Sequence, residues 1–225
     1  MSTPPLLIPG PVGPLEILIT SPSSPSTDDR RPTAILCHPH PLYGGSLHNK
    51  VVHTLATAIA HHQATVIRFN FRGVGHSLGH FDHGIGEVQD LLAVMQWAIT
   101  EQHPTELWLG GFSFGSYIAL KTHHTPLPPN LLQNSSPKLT RLILIAPPVD
   151  RFNFQTLQLP NLPTLIIQGL ADDVVSPNAV IDWLAQQPHP AQFYPLPGVG
   201  HFFHGHLIQL RELIHTFLNT PKPEK

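Results

Sequence analysis

The chain carries a single cysteine, Cys37, among 225 residues, and only 12% of its residues are charged. One thiol cannot close an internal disulfide, which excludes a disulfide-stapled scaffold and fits a reducing compartment. Twelve basic residues stand against 14 acidic ones, a net charge of −2, and Lys and Arg are scattered. Without a basic field, nucleic-acid binding is disfavoured. No apolar run approaches the roughly 18–20 residues needed to span a bilayer. The opening MSTPPLLIPGPVGPLE has no charged region followed by a long apolar core, so no signal peptide is expected and a cytoplasmic location is. No internal repeat is present. What the chain does have is 41% hydrophobic residues, enough for a globular core, together with 26 prolines and 17 histidines. The prolines gather at the ends, around 22–32 and around 126–137, where they read as rigid loop residues.

A length of 225 residues suits one α/β domain covering 1–225. Leu15–Ile19 reads as an early antiparallel strand with Leu6-Leu7-Ile8 as its partner. Apolar runs at 33–37, 65–71, 107–109, 141–146, 164–168 and 191–196 read as buried strands. Helical spacing marks 48–62, 85–100, 116–121, 178–186 and 204–218. Strands that are apolar throughout and alternate with helices predict a mostly parallel sheet covered on both faces. Ligands in such sheets bind beyond the carboxyl ends of the strands. Those are the places, after 37, 71, 109, 168 and 196, where His, Gly, Ser and Asp concentrate.

The most informative stretch is ELWLGGFSFGSYIALKTHH, 106–124. A short strand runs into Gly111-Phe112-Ser113-Phe114-Gly115 and then into a helix, the context that gives G-x-S-x-G its meaning as a nucleophile elbow. The two glycines remove Cβ atoms that would collide as strand and helix close. A serine hydroxyl needs a base, and the base an orienting acid. The strand ending at Gln168 runs into Gly169-Leu170-Ala171-Asp172-Asp173, and the one ending at Leu196 into Pro197-Gly198-Val199-Gly200-His201. Serine, then aspartate, then histidine is the chain order of α/β-hydrolases. Asp172 could instead cap the following helix, although Ser176 is better placed, and Asp173 is its rival as the acid.

The segments CHPHPLYGGSLHNKVV (37–52), RFNFRGVGHS (68–77), GIGEVQDL (84–91), GGFSFGSY (110–117), LILIAPPV (142–149), QGLADDVVSP (168–177) and GVGHFFHG (198–205) together resemble the α/β-hydrolase superfamily. Within it, the chain is similar to a compact, cap-less bacterial group of predicted hydrolases. The resemblance covers nearly the whole chain. It implies Ser113 as nucleophile, His201 as base and Asp172 as acid, the last by its spacing from Gly169. One departure is Gln168, where many relatives have His. The oxyanion hole is expected from the Phe114 amide plus one from the loop after Cys37. There Pro39 and Pro41 have no N–H, which leaves His40 and Leu42, and the distance from the strand end favours His40.

The expected chemistry is cleavage of a small carboxylic ester or thioester through an acyl-enzyme, without cofactor. A serine peptidase or amidase on the same machinery, and a non-catalytic binding protein of this fold, are the alternatives. Residues 147–163 are too few for a large cap, so an open site is expected, with Leu42, Tyr43, Pro148, Phe152, Phe154 and Phe202 as candidate pocket residues. The histidines, including His38/His40, His76/His80/His83 and His201/His204/His206, lack the spacing of a zinc site, and no metal is expected. Gly73-Val74-Gly75-His76-Ser77-Leu78-Gly79 misses G-x-G-x-x-G by one residue and reads as a turn after a strand.

Overall fold

The computed structural model describes residues 6–22, 31–128 and 137–220. The centres of the proline-rich segments around 22–32 and 126–137 lie outside them. Strands β1 (Leu6–Ile8), β2 (Leu15–Thr20), β3 (Thr33–Cys37), β4 (Thr65–Phe69), β5 (Glu106–Phe112), β6 (Lys138–Ile145), β7 (Thr164–Gly169) and β8 (Gln192–Leu196) form one sheet. Its order is β1-β2-β4-β3-β5-β6-β7-β8. β1 pairs antiparallel with β2, and β2 antiparallel with β4, while β4 to β8 run parallel. The chain leaves β3 toward β4 on one side and returns to β5 on the other. That reversal opens a crevice beyond the ends of β3 and β5.

Five α-helices are described: α1 (Lys50–Ala60), α2 (Gly86–Gln102), α3 (Phe114–His123), α4 (Pro177–Ala185) and α5 (Leu207–Asn219). Successive strand residues face opposite ways, so an all-apolar strand feeds two cores. On β3, Ala34 and Leu36 pack with Val52, Leu55 and Ile59 of α1 and Ile214 of α5. Ile35 and Cys37 pack on the other face with Leu91 of α2, Ile118 of α3 and Trp183 of α4. The interior of β6 admits one cation, Arg141, whose guanidinium lies over the rings of Trp108 and Phe217 at 5.4 and 5.3 Å.

Local chemistry sets the helix boundaries. Asn49 accepts the amides of Val51 and Val52, so α1 starts at Lys50 rather than 48. Ser176 caps α4 ahead of Pro177 and accepts the Ala179 amide at 3.3 Å, which leaves Asp172 free of that role. α5 begins three residues later than its apolar spacing predicts, because Gly205 turns left-handed with φ +77°. β5 outruns its apolar core and extends through Gly110 and Gly111, where backbone pairing to β3 and β6 replaces side-chain packing.

Candidate functional site

At the end of β5 the chain turns through Ser113, with φ 53° and ψ −121°, and enters α3 at Phe114. A non-glycine residue held there costs on the order of 1–3 kcal/mol, and the surroundings enforce it. Ser113 N–H donates to the Ile145 carbonyl of β6 at 2.8 Å. Ser116 Oγ is shared between the Gly111 and Ile145 carbonyls at 2.8 and 2.9 Å, fastening the first turn of α3 to both strands. A Cβ on Gly111 would overlap the backbone of Gly115, as strand-to-helix closure requires. Gly115 serves a different approach: its Cβ would overlap the Cys37 and His38 carbonyls at the end of β3. Ser116 was not legible as a fastener, because its acceptors come from two strands.

The acid and base loops are tied to each other. Leu170 N–H donates to the Leu196 carbonyl at 2.8 Å and Ala171 N–H to the Val199 carbonyl at 3.0 Å. This brings His201 Nδ1 to 2.8 Å from Asp172 Oδ2, and His201 Nε2 to 3.1 Å from Ser113 Oγ. All three residues are buried. A carboxylate at Nδ1 places the imidazole proton there and leaves Nε2 as an acceptor facing the serine. Asp172 Oδ1 accepts the Val174 and Val175 amides at 2.9 and 2.8 Å, and Gln168 Nε2 donates to Oδ2 at 2.9 Å. Burial pushes the Asp172 carboxyl upward, but hydrogen bonds from His201, Val175 and Val174 outweigh it and hold it below the ordinary aspartate value. Asp173 is exposed.

The loop after β3 is fixed from within. His38, fully buried, donates from Nδ1 to the Pro39 carbonyl at 2.6 Å and accepts the Phe71 amide at Nε2 at 3.1 Å. Leu42 N–H is committed to His40 Nδ1 at 3.2 Å, and the His40 carbonyl accepts from Tyr43 and Gly45. Of the two amides left by the prolines, this leaves His40 uncommitted to the loop's own turn. A Cβ on Gly45 would overlap the Pro39 carbonyl. Phe114 begins α3, so its N–H has no acceptor within the helix. Below the loop, Asn70 accepts the Leu47 amide and donates to Glu16, which also accepts the His76 amide.

The candidate pocket residues separate. Leu42, Tyr43 and Phe202 are exposed around the opening. Phe152 lies 5.2 Å from the Phe114 ring and stacks on Tyr117, and Pro148 is buried on the same loop. Phe154 packs into the core between Tyr117 and Trp183. Residues 147–163 carry no helix or strand, and so no cap. A groove of about 810 Å³ is lined by Pro41, Leu42, Leu78, Phe81, Arg72 and His83 among others, and the Phe81 ring also packs on His40, 4.6 Å between rings. Sequence reading did not anticipate it, since its walls come from separate loops. Among the described residues, no three of His, Cys, Asp and Glu are grouped to hold a metal ion, and no helix is long and apolar enough to cross a membrane.

The fold and this site define a serine hydrolase of the α/β class. A family model described as serine aminopeptidase, S33, matches residues 31–160, and the chain belongs to that family. The chain is 35% identical over 222 residues to an uncharacterized protein of Rickettsia prowazekii, spanning 94% of this chain and 87% of that one. Among solved structures, it is similar to an α/β serine hydrolase without lid from Xanthomonas campestris, with TM-score 0.86 and 41% identity over 99% of this chain and 96% of that one. It is also similar to an alpha-beta serine hydrolase homologue from Coxiella burnetii, with TM-score 0.83 and 43% identity over 96% and 97% of the two chains.

Proposed function

We propose that the chain, as one domain over 1–225, cleaves carboxylic esters or thioesters through a Ser113–His201–Asp172 triad. The observation that carries this is the continuous hydrogen-bonded line from Ser113 Oγ through His201 to Asp172, at 3.1 and 2.8 Å, on a strained elbow. Ser113 Oγ attacks the acyl carbon while His201 Nε2 takes its proton. Asp172 holds the ring and stabilises its positive charge. The oxyanion forms against the Phe114 and His40 amides, at the positive end of α3. Collapse breaks the bond to the leaving oxygen or sulfur, which receives the proton from His201. Water, deprotonated by His201, then attacks the acyl-enzyme, and the acid departs with Ser113 restored.

The uncapped segment 147–163 and the exposed rim of Tyr43 and Phe202 support accessible, small substrates. The family description also names aminopeptidase action. That reaction needs a carboxylate to hold a free α-ammonium. Asp172 is already saturated by donors, and Asp150 on the adjoining loop is engaged by the Ser176 amide and lies 3.9 Å from Arg151. These engagements favour ester cleavage, with exposed Asp173 the carboxylate on the acid's loop that a peptidase reading would have to use. The buried lone Cys37 is in keeping with a cytoplasmic enzyme.

The test is labelling by a fluorophosphonate probe, wild type against Ser113→Ala, with short- and medium-chain p-nitrophenyl esters and an aminoacyl p-nitroanilide alongside. Labelling lost in Ser113→Ala, with turnover of the esters, is the expected result. Turnover of the anilide alone would move the assignment to a peptidase. A folded wild type that neither labels nor turns over would make this a binding protein. A complex with a deep, enclosed acyl tunnel would overturn the open-site reading.

A further inference from the structure

Gln168 is the penultimate residue of β7, and its side chain is fully buried. Its Nε2 donates to Asp172 Oδ2 at 2.9 Å and to the Gly169 carbonyl at 3.1 Å, which uses both amide hydrogens. Its Oε1 is buried and has no partner. The opposite orientation of the amide would set Oε1 against two acceptors, so the carboxylate and the carbonyl dictate which way it points. A buried oxygen without a donor destabilises the fold, and an apolar side chain of the same length would avoid it. The position keeps a donor on Asp172 despite that cost.

We propose that Gln168 is a positioning residue for the Asp172–His201 pair, its amide occupying the second acceptor site of Asp172 Oδ2 and so limiting how strongly the carboxylate holds a protonated His201. The proposal rests on the triad reading above and adds to it a residue that touches neither substrate nor serine. Asp172 has four acceptor sites and four donors: Val174 and Val175 amides on Oδ1, His201 and Gln168 on Oδ2. Saturation prevents the carboxylate from rotating. Without the Gln168 donor, Oδ2 becomes a stronger partner for imidazolium, and a ring already in that form works against proton transfer from the serine at acid and neutral pH.

The other charged groups around the pair stay constant when Gln168 changes. They are Asp173 on the acid's own loop and Asp150 and Arg151 on the loop after β6, with Arg151 Nε bonded to the Val174 carbonyl; the titratable ring of His204 stacks on Phe202. The elbow contributes Phe112 and Phe114, which carry no charge.

The experiment is the rate of fluorophosphonate labelling from pH 5 to 9 for wild type, Gln168→Met, Gln168→Leu and Gln168→His, with a thermal melt of each. The Met variant keeps length and loses the donor; the Leu variant guards against a Met-specific packing fault; the His variant supplies a ring N–H. The expected result is labelling slowed about three- to tenfold at pH 6.5 in Met and Leu, recovering to within about twofold of wild type at pH 9, because the acid limb moves upward. Gln168→His restores the neutral-pH rate while both apolar variants melt as cooperatively as wild type. A Met variant with the wild-type profile would overturn the proposal. So would a loss equal at every pH that follows a lowered melting temperature and is not rescued by His. A wild type that does not label would remove the triad reading itself, an outcome separate from these.

Discussion

His38 Nε2 accepts the backbone N–H of Phe71 at 3.1 Å, joining the loop after β3 to the turn after β4 through one neutral imidazole. The other ring nitrogen is spent on the Pro39 carbonyl, so a second proton on this ring would destroy its only acceptor. Burial lowers His38 from 6.5 to about 4.

Acid should therefore loosen the fold through histidine before it reaches the carboxylates. An unfolded chain binds the proton near pH 6.5, the folded chain only near 4, so this stability is complete above about 6.5 and is lost as pH falls toward 4. For His38 alone the loss is about 3 kcal/mol. His40, His53, His62 and His123 are also lowered, each chiefly by burial, and add in the same direction. Asp172, lowered as a carboxyl, withdraws its contribution only below its ordinary value of 3.8. Urea midpoints at pH 7.5, 6, 5 and 4 measure the slope. His38→Gln, which can still accept from Phe71 and cannot titrate, should flatten it.

Two adjacent aspartates offer a sharp contrast. Asp172→Asn should slow labelling and ester turnover by about 10³–10⁴-fold, because an amide there no longer enforces the Nδ1–H form of His201. Asp173→Asn, at an exposed position, should stay within about twofold of wild type. Equal losses in the two would mean that the acid has been misassigned.

His40 has φ −50°, an angle proline can adopt, so His40→Pro removes the amide proton with little backbone change. The ring is lost too, and with it contacts to Phe81 and Phe114. His40→Ala loses the same ring and keeps the amide. The Pro variant should be about 10²–10³-fold below the Ala variant in kcat if this amide binds the oxyanion. Matching rates would return the role to another donor.

Arg72 and Asp90 form a buried pair between the turn after β4 and α2. Arg72 Nε and Nη2 reach the carboxylate at 3.0 and 2.8 Å, and the Arg72 amide binds it as well. Asp90→Ala leaves the buried guanidinium with only the longer, half-exposed contact to Asp82 at 3.9 Å and should cost about 3 kcal/mol by denaturant titration. The double change Arg72→Met with Asp90→Leu should recover most of that loss.

How far these features could be read from the sequence depends on what each needs. The elbow was legible because Gly111 and Gly115 answer a backbone demand, and that demand leaves a fixed local pattern. An acid and His201 were legible because strand ends in a parallel sheet converge on one edge, and Asp172 rather than Asp173 only through the family resemblance in its spacing from Gly169. Gln168 was noticed only as a departure from the family pattern; its role depends on which way an amide points, and that is settled by Asp172 and Gly169 together. His38 and Ser116 act through partners on other strands, which no spacing reveals. Helix starts slipped by two or three residues where Asn49 or Gly205 overrode apolar periodicity.

β8 is the edge of the sheet, paired on one side alone with β7, and its loop is tied to the loop after β7 by the Leu170 and Ala171 amides. Ser113 directly follows β5, a strand in the interior of the sheet. The proposed base thus follows an edge strand, while the proposed acid and nucleophile follow β7 and β5, both interior strands. Fraying of the carboxyl-terminal edge would separate them while the central strands persist, since edges open at lower free energy than cores. Catalysis would then serve as a local thermometer: on warming, turnover fades before the protein melts, and the gap between the two temperatures measures how firmly β8 and α5 are docked.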